Sequence, residues 1–147
     1  MDRLPAPDLL DTGLLLHLVR RDALAQWALE GYGFLREVAQ PLVSIVSIGE
    51  IQALALRLGW GHQRRRRLEE LLERAIAVPL DFPGVIEAYA RIDAHCRRLG
   101  TPIGENDTWI AATAHATGAR LLTTDRDFEH LDPTFLRHEW IDPTQHR

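Results

Sequence analysis

Short apolar segments alternate along this chain with longer segments of helical periodicity, and this alternation constrains the fold more than any other feature. Residues 8–11 and 120–123 are short segments of strand length with a leucine pair at their centre, and residues 41–47 are rich in β-branched residues and apolar except for two serines. Strands that are apolar on both faces are typical of a parallel sheet covered by helices on both sides. The pattern therefore predicts a three-layer α/β/α fold with a mainly parallel central sheet.

Helical periodicity fills the intervals between these runs. The predicted helices cover residues 13–31, 48–58, 64–77, 83–99 and 105–116, followed by a helical turn at residues 127–131. Apolar residues in these segments recur three and four positions apart, which is typical of a helix that buries one face. Two further strands are predicted at residues 77–81 and 136–141, the second of them at an edge of the sheet.

Length and composition indicate a single domain over residues 1–147, with 46% apolar and 26% charged residues. Cys96 is the only cysteine, which excludes an internal disulfide framework, and no apolar run approaches the ~20 residues of a membrane span. We therefore expect a cytoplasmic protein without a membrane segment. The net charge of −4 argues against binding a polyanion over the whole surface, and the absence of lysine excludes lysine-dependent chemistry.

Five acidic residues lie just beyond predicted strands or at the start of a predicted helix. Asp11 ends the first strand and Glu50 lies three residues beyond the second. Asp107 opens a helix, and Asp125 and Asp127 follow the last buried strand. Open α/β sheets bind their ligands outside the carboxyl ends of the strands, so these carboxylates are expected to converge there.

A convergence of carboxylates requires a cation, because each negative charge disfavours the ionisation of its neighbours. Mg²⁺, or alternatively Mn²⁺, prefers carboxylate oxygens and also binds the phosphate oxygens of a substrate. Such ions activate water and stabilise the leaving oxygen of an in-line displacement. The sequence thus favours a metal-dependent enzyme that hydrolyses phosphodiester bonds.

Most of these acids also have a structural explanation. Glu50 and Asp127 each stand three residues after a serine or threonine, as in a capping box, and Asp107 would interact with a helix dipole. Asp11 has no comparable explanation, because no helix start requires an acid at the end of a buried apolar strand. We therefore expect Asp11 to anchor the site.

Four blocks of sequence resemble the PIN-domain ribonucleases, specifically the VapC toxins of toxin–antitoxin pairs. These blocks are LDT at residues 10–12, SIVSIGEI at 44–51, IGENDTWIAATA at 103–114 and LLTTDRDF at 121–128. The resemblance covers essentially the whole chain. It implies a PIN-like fold and a metal-dependent endoribonuclease that blocks translation by cutting RNA, with tRNA or rRNA as the target.

The resemblance also implies a role for each acid. Asp11 and Asp107 would be the principal Mg²⁺ ligands, and Glu50 and Asp125 would complete the metal site. Asp127 would be an auxiliary acid.

The resemblance further implies roles for two threonines and the presence of two protein partners. Thr12 and Thr124 would orient water, metal or phosphate beside the acids. A cognate antitoxin would silence the enzyme, and its arginine would pair with the carboxylates of the acidic groove. A homodimer is the usual assembly in this family.

Four alternative functions share parts of this pattern. A structure-specific DNA nuclease or an RNA-processing nuclease without an antitoxin would use the same acids. A non-catalytic nucleic-acid or protein-binding module would keep the fold and lose the acids, which are all present here. A phosphoryl-accepting domain would need a lysine or an Asp-x-Asp pair at the first strand, and the sequence has neither.

Other conspicuous residues have structural interpretations. The basic run at residues 64–67 precedes two glutamates at i,i+4 spacing, so we interpret it as an exposed helix face rather than an RNA-binding patch. Trp109 is expected to pack, and Trp140 is expected in the core or at a dimer contact. Residues 20–38 do not align with the family and are the candidate region for substrate choice.

Overall fold

The computed structural model describes residues 6–32 and 40–145, and its strands form one sheet. The strands are β1 (Asp8–Leu10), β2 (Leu42–Ser44), β3 (Ile76–Val78), β4 (Arg120–Thr123) and β5 (Arg137–Trp140). Within the described residues their order is β3-β2-β1-β4-β5, and every pair of neighbours is parallel. All strands therefore present their carboxyl ends at the same edge, with β1 in the centre.

Helices connect these strands. They are α1 (Thr12–Arg20), α2 (Ala23–Tyr32), α3 (Ile45–Arg57), α4 (His62–Glu73), α5 (Val85–Arg98) and α6 (Glu105–Thr117), followed by a 3₁₀ turn at Glu129–Leu131. In the part of the chain that the structure describes, no helix is long and apolar enough to cross a membrane.

Successive strand residues point to opposite faces of the sheet, and this alternation divides the core in two. Leu10 and Leu122 pack against helices α1 to α4, whereas Leu9 and Leu121 pack against α5 and α6. The sheet is thus covered on both faces, which explains why its strands lack polar alternation. The predicted three-layer α/β/α fold with a parallel sheet is confirmed.

An ionic cluster joins three strands away from the acidic site. Arg120 Nε lies 2.9 Å from Asp8 Oδ1, and its Nη1 lies 3.2 Å from Glu139 Oε2. The same guanidinium lies over the ring of Tyr32, 5.4 Å from its centroid. Burial, together with the hydrogen bond and charge of Glu139, raises the pKa of Tyr32. This cluster connects β1, β4 and β5 to α2.

The predicted single helix over residues 13–31 is wrong, because the chain turns after α1. Arg21 adopts a left-handed conformation (φ 56°), and Asp22 Oδ1 then accepts a hydrogen bond from the Ala25 amide at 3.0 Å. The other oxygen of Asp22 contacts His17 Nδ1 at 2.5 Å. Because this turn uses an arginine rather than a glycine in the left-handed conformation, no glycine in the sequence marks the end of α1.

The predicted strand over residues 41–47 is also wrong in its second half. The strand β2 ends at Ser44, whose hydroxyl accepts a hydrogen bond from the Val46 amide at 3.1 Å. Ser44 is therefore the N-cap of α3, and the β-branched residues that follow are helical. Packing of α3 against the sheet thus overrides the strand propensity of this run.

The remaining predicted elements are present with shifted ends. The predicted helix over residues 64–77 begins earlier and ends at Glu73, so that β3 starts at Ile76. The predicted helical turn at residues 127–131 is a shorter 3₁₀ turn. Residues 33–38 of the candidate region for substrate choice, together with residue 39, lie outside the described residues.

Candidate active site

Asp11 directly follows β1 at the carboxyl edge of the sheet and is the N-cap of α1. Its Oδ1 accepts a hydrogen bond from the Thr12 amide at 2.7 Å, and its Oδ2 accepts one from the Thr123 hydroxyl at 2.6 Å. Only 6% of the residue is exposed. The expectation that Asp11 has no structural role is therefore wrong, because it caps a helix as well as facing the site.

Glu50 does not form the capping box that its spacing allowed. It lies in the second turn of α3, and its Oε1 accepts a hydrogen bond from the Thr12 hydroxyl at 2.8 Å. The same hydroxyl lies 3.0 Å from Ser47 Oγ. Because α3 starts at Ile45, Glu50 projects from within the helix toward the start of α1.

Asp107, Asp125 and Asp127 form the tightest group of acids. One carboxylate oxygen from each lies within 4.8 Å of one from both others. The loop after β4 brings two of them there: the Asp125 amide donates to Thr123 Oγ1 at 2.9 Å, and the Asp127 amide donates to Asp125 Oδ1 at 3.0 Å. Asp127, predicted as an auxiliary acid, thus lies within the group rather than beside it.

The negative charges of the other four acids all act on the carboxyl group of Asp107. Burial raises the pKa of Asp107 to about 7, and the charges of Asp11, Asp125, Asp127 and Glu50 act in the same direction. A helix dipole alone would lower the pKa of an acid in the first turn of α6. Repulsion and desolvation therefore outweigh the dipole.

Burial also raises the pKa of Asp11, and the charges of Asp125 and Glu50 contribute. The hydrogen bonds from Thr123 and Thr12 oppose this effect because they favour the ionised carboxylate. Asp11 thus sits in the same negative field as Asp107.

Thr124 lies over the first turn of α1. A Cβ added to Gly13 would meet Thr124 Oγ1 at 2.6 Å, so only a glycine lets the loop after β4 approach α1 this closely. The carbonyl of Thr124 accepts a hydrogen bond from Trp140 Nε1 at 3.1 Å. The predicted threonine is therefore beside the acids, and its position depends on two residues that the sequence pattern did not indicate.

An open depression and a groove meet at the acids. The depression, of about 390 Å³, is lined by Glu50, residues 104–106 and Asp107. The groove, of about 580 Å³, runs along α3 from Thr12 and Glu50 to Arg57. Because Glu50 and Asn106 line both, the two form one continuous surface.

Two residues of the site lie within the sequence blocks that resemble the family but are not among the predicted site residues. Thr123 links Asp11 to the Asp125 amide through one hydroxyl, and Ser47 contacts Thr12. Both are fully buried. Their only signal is polarity within an apolar run, since a buried hydroxyl requires a hydrogen-bond partner.

The other singled-out residues have structural roles. Trp109 is stacked on Tyr89 with ring centroids 4.0 Å apart, which confirms the packing interpretation. Arg66 pairs with Glu70 at 3.9 Å on an exposed face of α4, as the i,i+4 spacing predicted.

This arrangement can hold a divalent cation. Several carboxylates share a negative field, and three of them offer oxygens at mutual distances that one ion could bridge. The causes that raise the pKa of Asp107 are burial and the negative charges of the neighbouring acids, and a bound cation would offset those charges. A hard cation with oxygen preference fits this donor set.

An acidic site at the carboxyl edge of a parallel five-stranded sheet is the arrangement expected for the PIN fold. The PIN-domain family matches residues 9–133 of this chain. The chain therefore belongs to the PIN-domain family, and the resemblance found in its sequence is confirmed.

Individual relatives agree with this membership. Ribonuclease VapC4 of Mycobacterium tuberculosis is 35% identical over 88 residues, which span 58% of this chain and 67% of that protein. The structure of VapBC2 from Rickettsia felis bound to a promoter DNA fragment superposes with a TM-score of 0.78 at 20% identity, covering 92% of this chain and 98% of that chain.

A second structure shares the fold. VapBC-5 of Mycobacterium tuberculosis, a member of the VapBC family of toxin–antitoxin systems, has a TM-score of 0.66 at 24% identity. The match covers 93% of this chain and 100% of that chain.

Proposed function

We propose that this protein is a metal-dependent endoribonuclease that acts as the toxin of a toxin–antitoxin pair. The observation that carries the proposal is the convergence of Asp107, Asp125 and Asp127 in one field with Asp11 and Glu50. Membership of the PIN-domain family and similarity to a protein named ribonuclease VapC4 support RNA as the substrate.

Asp11, Glu50, Asp107 and Asp125 would hold Mg²⁺, with Mn²⁺ as the alternative ion and Asp127 as a fifth acid. An ionised carboxylate oxygen has more than one acceptor position, so Asp11 can bind a cation while keeping its hydrogen bonds. A bound ion would supply positive charge to the scissile phosphate and to the water that attacks it.

The threonines fix the orientation of two carboxylates. The amide of Thr12 and the hydroxyl of Thr123 hold the two oxygens of Asp11. The hydroxyl of Thr12 donates a hydrogen bond to one oxygen of Glu50. This bond also fixes the direction of the second oxygen, because both belong to one planar carboxylate. Such preorganisation avoids the cost of aligning the carboxylates during the reaction.

The groove along α3 gives the RNA backbone a path to the acids. It is lined by small and apolar residues near the site, with Arg57 among its residues. An arginine there can pair with a phosphate of the chain, while the apolar surface of Ile45 and Val46 accepts an unstacked base. This surface favours single-stranded RNA, such as a loop, over a regular duplex.

The test is cleavage of purified tRNA and rRNA by the protein with Mg²⁺, after metal-free preparation. Asp11→Asn and Asp107→Asn are expected to lower the cleavage rate by about 100-fold or more, since several kcal/mol of charge stabilisation are lost. Asn keeps the N-cap acceptor of Asp11. Glu87→Gln, at an exposed acid in the first turn of α5, is the matched control.

Undiminished cleavage in either variant would refute the assigned site. Cleavage of single-stranded or hairpin DNA in preference to RNA would instead support the DNA nuclease. Sequencing the 5′ ends of the RNA fragments identifies the target and the bond that is cut.

The antitoxin is the proposed protein partner. The acidic groove would attract an arginine from another chain, whose guanidinium can pair bidentately with a carboxylate. Structures of VapBC complexes share the fold of this chain, which supports a partner of this kind. Co-expression with the protein encoded beside it should restore growth and inhibit cleavage; failure of both would separate the nuclease from any toxin–antitoxin function.

A homodimer is proposed from the family resemblance and from exposed apolar side chains. Leu56 of α3 and Ile86 of α5 are 68% and 61% exposed. Burial of such residues favours association by about 25 cal/mol per Å² of apolar surface. Light scattering of the wild type and of Leu56→Glu distinguishes a dimer from a monomer.

A further inference from the structure

Arg126 stands between two acids of the site in sequence, yet its side chain is held elsewhere. Its guanidinium carbon lies 4.0 Å from the centroid of the Trp140 ring. Its Nε lies 3.7 Å from Glu129 Oε1, and among the described residues Glu129 is the only carboxylate within 4.0 Å of this guanidinium. The arginine therefore does not pair with either neighbouring aspartate.

Trp140 is fixed at both its backbone and its ring. It is the last residue of β5, where it pairs with Thr123 of β4 in the parallel ladder. Its Nε1 donates a hydrogen bond to the Thr124 carbonyl at 3.1 Å. Tryptophan suits this position because it combines a hydrogen-bond donor with the aromatic face that binds a cation most strongly.

Without this ring, the guanidinium of Arg126 could turn toward the carboxylates that flank it in sequence. Its side chain is long and flexible, and a guanidinium pairs with a carboxylate through two hydrogen bonds. Asp125 and Asp127 are its immediate neighbours in sequence, and their oxygens already lie near those of Asp107. A guanidinium bound there would compete with a divalent cation for the same carboxylates.

We propose that Trp140 is a positioning residue of the acidic site, which holds Arg126 away from Asp125 and Asp127 so that these carboxylates remain available to a divalent cation. This inference rests on the proposed function, because it assigns the acids to a metal. It adds a residue from the edge strand that does not itself contact the cation.

The experiment measures the Mn²⁺ dissociation constant from the electron paramagnetic resonance signal of the free ion, without RNA. Trp140→Leu, which removes the ring face and the donor, is expected to weaken binding by about threefold to fivefold, the effect of one exposed ion pair. Trp140→Phe keeps a ring face and should weaken binding less. Arg126→Gln should bind at least as tightly as the wild type, since it removes the competing cation.

The decisive variant combines Trp140→Leu with Arg126→Gln. If Trp140 acts by holding Arg126, the double variant binds Mn²⁺ as tightly as Arg126→Gln alone. Equal weakening in the presence and absence of Arg126 would overturn the inference, and so would unchanged binding by Trp140→Leu. If Trp140→Leu does not fold, Trp140→Met, whose unbranched and flexible side chain adapts to an irregular space, replaces it in both backgrounds.

Asp107→Asn separates this inference from the proposed function. Weaker Mn²⁺ binding by Asp107→Asn together with unchanged binding by Trp140→Leu would refute only the role of Trp140. Equal Mn²⁺ binding by the wild type and Asp107→Asn would refute the metal site on which both rest.

Discussion

At the scale of single residues, Glu50 and Asp11 have roles that differ from those their spacing suggests. Glu50 has the spacing of a capping residue, but it does not cap α3. Its carboxylate instead accepts a hydrogen bond from the Thr12 hydroxyl. Asp11, which had no apparent structural role, caps α1 while facing the other acids. A side chain can therefore satisfy a helix end and belong to a binding site at once, because a carboxylate has several acceptor positions.

Asp107 should destabilise the metal-free protein at high pH. Its pKa is raised from 3.8 to about 7, so the folded state binds this proton more tightly than the unfolded state. The resulting cost is absent at low pH, grows as the pH rises above the unfolded pKa, and is complete above about pH 7.

Asp107→Asn should therefore raise the free energy of unfolding by about 1–2 kcal/mol near pH 8, and by much less near pH 4. The estimate is below the full value of the shift because solvent screens a partly exposed carboxylate. Urea unfolding at both pH values measures it, with Glu87→Gln as the control. The same gain at both pH values would show that ionisation of Asp107 is not the cause.

At the scale of elements, the site depends on how closely the loop after β4 approaches α1. Gly13 in α1 has no side chain, and the Thr124 hydroxyl occupies the space that a Cβ would fill. The loop continues into Asp125 and Asp127, so its position also sets two acids of the site. A contact between two elements thus controls the geometry of the carboxylates.

Gly13→Ala should destabilise the protein although alanine is the better helix former. The added Cβ would lie 2.6 Å from Thr124 Oγ1, so either the Thr124 side chain must rotate from its position or α1 and the loop must separate. In a Thr124→Ala background the conflict disappears, and Gly13→Ala should then stabilise by up to about 1 kcal/mol through helix propensity.

Thermal unfolding of the four proteins of this cycle shows whether the sign reverses. Gly49→Ala, in α3 with no atom within 4 Å of the added Cβ, is the control and should stabilise in both backgrounds. A loss of stability from Gly13→Ala that persists without the Thr124 hydroxyl would contradict this explanation.

At the scale of the whole molecule, one sheet divides two apolar cores and carries the acids at its carboxyl edge. Segments from Asp11 to Asp127 meet there although they are far apart in sequence. Their mutual repulsion opposes folding, and a cation that binds only the assembled site would offset it. Metal binding and global stability are therefore expected to be linked.

Mg²⁺ should raise the melting temperature of the wild type, with the increment growing with the logarithm of the ion concentration above its dissociation constant. The increment should be larger near pH 8 than near pH 5, because protons and the cation compete for Asp107. Differential scanning calorimetry with Mg²⁺, and with EDTA to reverse it, measures the effect.

Asp107→Asn and Asp125→Asn should both lose most of this increment. Glu87→Gln should retain it. An increment of the same size in all variants would indicate that Mg²⁺ acts through general ionic strength rather than through the site.

Much of the architecture was predictable from the sequence, because helices and parallel strands have different apolar periods. The position of β4 and the starts of α1 and α6 follow this pattern to within one residue. The turn at Arg21 and the early start of α3 were not predictable, since an arginine in a left-handed conformation and β-branched residues in a helix both contradict local preference. Tertiary packing decides such positions.

The three-layer fold and the five acids at one edge were predictable, because apolar periodicity shows strands alternating with helices and parallel strands align their carboxyl ends. How each acid is held depends on the packing of these elements. The Thr123 link to Asp11 and the Trp140 contact with Arg126 join segments distant in sequence or on different strands. Such contacts depend on distances of a few ångströms between packed elements, and these distances leave no periodic pattern in the chain.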